Sequence, residues 1–79
     1  MQSFNRLPEE SSKAYAAFAE YLRQGPQRSV EQTGRNLGKS VGTLRVWQER
    51  FAWVSRAADY DEFVIRQEQE MGLIATREK

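Results

Sequence analysis

Neither cysteine nor histidine occurs among the 79 residues. Without thiols the chain can hold no disulfide framework and no cysteine nucleophile. Without imidazole it lacks the usual zinc ligand and the usual general base. There is no run of 18 apolar residues and no charged-apolar-small leader, which argues against a membrane-spanning helix and an obvious secretion signal. The expectation is a soluble intracellular protein. Net charge is only +1, too little for a generic polycation, and no pair of carboxylates suggests hydrolysis. The expectation is therefore a non-enzyme, with no cofactor and no metal.

What the chain does have is nine aromatic residues and an uneven distribution of charge. A chain of this length makes one small domain with a modest core, and aromatics supply large buried areas per residue. Residues 1–27 carry three cations against three anions, and residues 51–79 carry four against six. Residues 28–50 carry five cations (Arg28, Arg35, Lys39, Arg45, Arg50) against two anions. The positive field is confined to this middle stretch, as expected if only that part meets an anionic partner.

That stretch, SVEQTGRNLGKSVGTLRVWQER, has the punctuation of two short helices. Val30, Thr33 and Leu37 share one helical face. Gly38 can take the left-handed conformation that ends a helix in a sharp turn. Ser40 can then cap a second helix, in which Val41, Leu44 and Trp47 resume the apolar spacing. Gly34, four residues before Gly38, lets the two helices cross closely and near a right angle.

The flanks supply a scaffold. Residues 1–10 have little apolar content beyond Phe4 and Leu7 and read as an arm that frays. A helix from Ser11 or Ser12 to about Gln24 carries Tyr15, Phe18 and Leu22 on one face and several helix-favouring alanines. Gly25-Pro26 stops it. This helix should close a core with Leu37, Leu44 and Trp47, joined by Phe51 and Trp53. From about Val54 towards Lys79 no proline intervenes, and Trp53, Ala57, Tyr60, Val64, Gln67, Met71 and Ile74 follow alternating spacings of four and three, the seam of a coiled coil. Such a stripe calls for a partner helix, which makes Ala57, Tyr60, Val64, Met71 and Ile74 the oligomerisation candidates. The pattern is still in progress at Lys79, so the chain reads as the N-terminal part of a longer protein. The expected fold is all-α: a three-helix bundle over residues 11–53, followed by a long C-terminal helix over residues 54–79.

Gly34, Leu37, Gly38, Ser40, Leu44 and Trp47 together resemble the helix-turn-helix family of DNA-binding modules. At Lys39 that pattern carries an apolar residue, whereas this chain places a cation beside the expected phosphate backbone. Over roughly residues 8–70 the chain further resembles the N-terminal DNA-binding domains of phage and prophage small terminase subunits: KAYAAFAEYL, a basic RSVEQ entry, LGKS, L-x-x-W, and F-x-W-V-x-R-A-A-x-Y-D at Phe51–Asp61, of which the part from Trp53 to Asp61 is the discriminating piece. The resemblance implies a non-catalytic packaging protein in the cytoplasm of a bacterial host cell. It would recognise double-stranded viral DNA, form a homo-oligomer, and hand DNA to a large terminase subunit. Transcription regulators and transposases share the central part, and a helical bundle built for protein contacts is the reading of another class.

In a DNA complex the second helix of the motif would enter the major groove. Arg45 is the candidate for bidentate contact with guanine, and Val41 for contact with a thymine methyl. Gly42 costs about 1 kcal/mol in a helix relative to alanine, which suits close approach to DNA. Glu49 lies on the same face. Arg28, Arg35, Lys39, Ser40, Thr43 and Arg50 would serve phosphates. Three other signals carry less. Gly38-Lys39-Ser40 follows no strand, and the spacing back to Gly34 departs from that of a phosphate-binding loop. Asp59, Asp61 and Glu62 face different directions on a helix, which suits a solvated face better than a metal site. Trp47, Phe51 and Trp53 share register with Leu44, which favours core over base stacking.

Overall fold

The computed structural model describes residues 2–77, with side chains described through residue 70. Among them the chain is all-helical: α1 Ser12–Arg23, a short 3-10 turn Gly25–Gln27, α2 Val30–Leu37, α3 Val41–Arg50 and α4 Trp53–Arg77. None of the described helices is long and apolar enough to cross a membrane.

The starts of α1, α2 and α3 are each set locally by a serine. The hydroxyls of Ser11, Ser29 and Ser40 accept hydrogen bonds from the backbone N–H groups of Ala14, Gln32 and Thr43, at 3.1, 3.0 and 3.3 Å. α1 buries Ala14, Ala17, Phe18, Tyr21 and Leu22, an i, i+3, i+4, i+7, i+8 stripe. Tyr15 lies at its half-buried edge. Gly25, at φ 76°, leads into the turn that carries Pro26.

Gln24 ties the end of α1 to the start of α2. Its amide oxygen accepts from Ser29 N at 3.0 Å, and its amide nitrogen donates to Thr33 Oγ1 at 2.7 Å. The fully buried Thr33 hydroxyl also donates to Ser29 O at 2.8 Å, so burial leaves it satisfied. α2 ends at Gly38, in the left-handed conformation at φ 66°, ψ 36°. A Cβ on Gly34 would lie 2.8 Å from Lys39 O and 3.5 Å from side-chain carbons of both Leu44 and Val41. Only a residue without a side chain lets the turn and α3 come this close.

The core joins Phe18, Tyr21, Leu44, Phe51 and Trp53. The Trp53 ring lies 5.6 Å from that of Phe18 and 5.2 Å from that of Tyr21. Of two further positions expected to close this core, one stays outside it and the other joins it only in part. Leu37, the last residue of α2, remains 37% exposed because the helices meet at Val30, Thr33 and Gly34 instead. Trp47 is half-buried, with Lys39 Nζ 6.0 Å from its ring centre.

Residues 2–10 are not a frayed arm. Arg56 of α4 is buried and uses all five of its N–H donors on this segment and the preceding turn. It donates to Ser3 O, Asn5 O and Phe51 O at 2.8, 3.0 and 2.9 Å, and to both carboxylate oxygens of Glu10 at 3.0 and 3.1 Å. Its guanidinium carbon lies 4.1 Å from the Phe18 ring centre. Phe4 then packs edge-on to Tyr60, with ring centres 5.3 Å apart.

The long helix also departs from expectation. It begins at Trp53, after a Phe51-Ala52 turn in which Ala52 takes a left-handed φ of 52°. No domain boundary falls at residue 53, since Trp53, Arg56 and Ala57 are buried in the common core. Of the proposed oligomerisation residues, Ala57 is 2% exposed and Tyr60 packs on the core, so both are spent within this chain. Val64 is half-buried and lines a groove with Leu22, Pro26 and Ile65. Met71 and Ile74 lie outside the residues whose side chains are described, and the continuation of the helix through Lys79 lies outside the described residues.

Candidate nucleic-acid interface

α3 is held at both ends and along one face. Ser40 caps its start, Phe51 N donates to Trp47 O at 2.9 Å at its end, and Leu44 is fully buried beneath it. Residues two positions before and after Leu44 lie about 200° around the helix. Gly42 and Val46 therefore mark the outermost line of α3, and Thr43, Arg45, Glu49 and Arg50 flank it. All six are exposed.

Val41 is not on that outward line. It is half-buried, packs on the core and faces Gly34 of α2, because it lies three residues before Leu44 and shares its face. The apolar residue that α3 presents to solvent is Val46, 59% exposed. Sequence reading passed over it, although its distance around the helix from Leu44 was a usable signal.

The five cations divide into three kinds. Arg28, expected at phosphate, is structural, with its side chain almost fully buried. It donates to Asp61 Oδ1 and Oδ2 at 2.7 and 2.8 Å, and to Tyr21 O and Leu22 O at 3.1 and 3.2 Å. It thus covers carbonyls at the end of α1 and bolts the turn to α4. The hydrogen bonds from Arg28 hold the Asp61 carboxyl below its ordinary range, and the same pairing raises the Arg28 guanidinium. Arg45 is exposed but paired with Glu31 of α2, also exposed. Pairs of this kind contribute little to stability and exchange partners readily.

Arg35, Lys39 and Arg50 have no carboxylate partner among the described residues. Arg35 donates to the Gln32 side chain at 2.8 Å, and the Arg50 guanidinium lies 5.6 Å from the Phe51 ring centre. Lys39 and Ser40 sit in the turn itself, and the Ser40 hydroxyl is also within 2.9 Å of Thr43 Oγ1. α3 thus offers an exposed face flanked by Arg45 and Arg50, while Lys39 in the turn and Arg35 on α2 add cations that have no carboxylate partner among the described residues. Among the described residues no group of three acidic side chains is placed to hold a metal ion.

Comparison of the chain with protein-family models, with curated proteins and with solved structures finds no match.

Proposed function

We propose that α2, the turn and α3 form a helix-turn-helix that binds double-stranded DNA through the outward face of α3. We further propose that the chain is the DNA-recognition part of a viral genome-packaging protein of the small-terminase kind, itself non-catalytic. The observation that carries the first reading is α3 itself: a helix fixed by caps and by the close approach at Gly34, with Gly42, Thr43, Arg45, Val46, Glu49 and Arg50 all in solvent. A helix so placed fits the major groove of a duplex. Arg45 is the candidate for guanine. Arg35, Lys39 and Arg50, with Ser40 and Thr43, are the candidates for phosphate.

The packaging reading rests on the resemblance of Phe51–Asp61 to small terminase subunits. In that reading the chain works as a homo-oligomer alongside a large terminase subunit. A gene for such an ATPase-nuclease beside this one supports packaging, and a promoter or transposon-end target for the protein overturns it in favour of regulation or transposition.

DNA binding is tested by titrating the 79-residue protein into a labelled duplex. Neutralising about three to four phosphates should make affinity fall roughly 40- to 150-fold between about 50 and 200 mM salt. Arg35→Ala should weaken binding to preferred and random duplexes alike, whereas Arg45→Ala should erase the difference between them. Equal behaviour of the two variants refutes this division of roles, and no binding at low salt refutes DNA recognition.

A further inference from the structure

Two residues on the outermost line of α3 are unexplained by folding. Gly42 needs no special backbone conformation, and a Cβ there would meet nothing within 4 Å. Glycine is therefore a weakness in the helix with no steric cause inside this chain. One turn later on the same line, Val46 exposes 59% of its surface, and β-branching makes valine a poorer helix former than alanine. A site with no side chain followed, at i+4, by an apolar projection makes sense for a surface that another molecule approaches closely.

Resting on the DNA-binding reading above, we propose that Val46 reads the C5-methyl group of a pyrimidine in the major groove. Valine carries no donor and no acceptor, so its side chain is blind to the hydrogen-bonding pattern of base edges. The apolar feature of that groove is the methyl at C5, native to thymine and present on methylated cytosine. Gly42 leaves room for the helix to seat, and Val46 then stands where a base methyl would meet it. Glu49 and Arg50 stand one turn further along and supply polar contacts beside it. Val41, the other valine of α3, is engaged with the core.

The test begins by selecting preferred duplexes from a random pool with the full chain. Each thymine is then replaced singly by uracil, which removes only the methyl, and each cytosine by 5-methylcytosine. At one position wild type should lose about fourfold in affinity with uracil, or gain about fourfold with 5-methylcytosine, the factor expected from one buried methyl group. The first outcome assigns the contact to thymine and the second to methylated cytosine. Val46→Ala should abolish the effect without lowering the melting temperature, since the side chain lies mostly in solvent and alanine is the better helix former, and Val46→Thr should weaken it. If wild type selects sequences but is indifferent to both replacements, or if Val46→Ala keeps the same sensitivity, this inference falls and DNA recognition stands. If no duplex is enriched over background at low salt, both fall together.

Discussion

Arg56 and Arg45 are the same residue type in opposite situations. Arg56 is buried, has every donor occupied and joins three parts of the chain: residues 3–10, the Phe51 turn and α4. Arg45 stands in solvent with one exchangeable partner, Glu31. A guanidinium with all its donors used inside the protein has nothing left for a ligand, and one tethered by a single exposed pair can be recruited. Arg28 belongs with Arg56, whereas Arg35, Lys39 and Arg50 belong with Arg45. Among these six cations, positive charge falls into two groups, an internal one that clamps the helices and an external one on α2, the turn and α3.

If that division is right, internal substitutions should move stability, and external ones should move DNA affinity with stability within about 0.5 kcal/mol of wild type. The largest effect should come from Arg56→Ala, which leaves the Glu10 carboxylate buried without its partner. A loss of about 3–5 kcal/mol is expected in urea or thermal unfolding. For a chain this small, whose total stability is of order 0.05–0.15 kcal/mol per residue, that removes much of the folded population. A variant melting like wild type would break the comparison at its strongest point.

Gly34→Ala sharpens it differently, because it should move both stability and affinity. The added Cβ meets the backbone carbonyl of Lys39, which can yield only by moving the turn. About 1–3 kcal/mol of stability should go. DNA affinity of the folded fraction should drop as well, since α3 is displaced relative to α2.

The Arg28–Asp61 pair predicts a pH dependence of about 1–2 kcal/mol. Asp61 is held below its ordinary range by Arg28, so its contribution is complete above the unfolded value of about 3.9 and disappears as pH falls through the lower folded value. Wild type should exceed Asp61→Asn in stability at pH 5 and above, and the two curves should converge in stronger acid. A constant gap would show that the carboxylate charge is not what matters.

The smallest effect has the opposite sign. Ala52 holds a left-handed conformation worth roughly 1–2 kcal/mol of strain, which glycine escapes at some cost in unfolded-chain entropy. Ala52→Gly should therefore stabilise the fold by about 0.5–1 kcal/mol and leave duplex affinity unchanged. Destabilisation would mean that the turn depends on the alanine side chain.

Most of the motif that carries the terminase resemblance lies on the internal side of this division, the exposed Val54 and Ala58 excepted. Phe51, Trp53 and Ala57 are core, Tyr60 packs on it, Arg56 is the clamp and Asp61 holds Arg28. It marks a scaffold, and in the DNA-binding reading proposed above the choice of sequence falls to the exposed residues of α3.

What could be read from the chain alone was what neighbours in sequence decide. The caps at Ser11 and Ser40, the left-handed Gly38, the stop at Gly25-Pro26 and the Phe18 and Leu22 side of α1 depend on residues within two turns of one another, and each was legible; the cap at Ser29 and the buried Tyr21 were passed over. What required the folded chain was the destination of groups whose partners are distant: Arg56 with Glu10, Arg28 with Asp61, Ala57 and Tyr60 turned into their own core, and Val46 rather than Val41 left outside. Charge and apolarity are visible in a sequence, but whether a charge is paired or a valine covered depends on which remote backbone closes over it, and that is settled only when the helices pack.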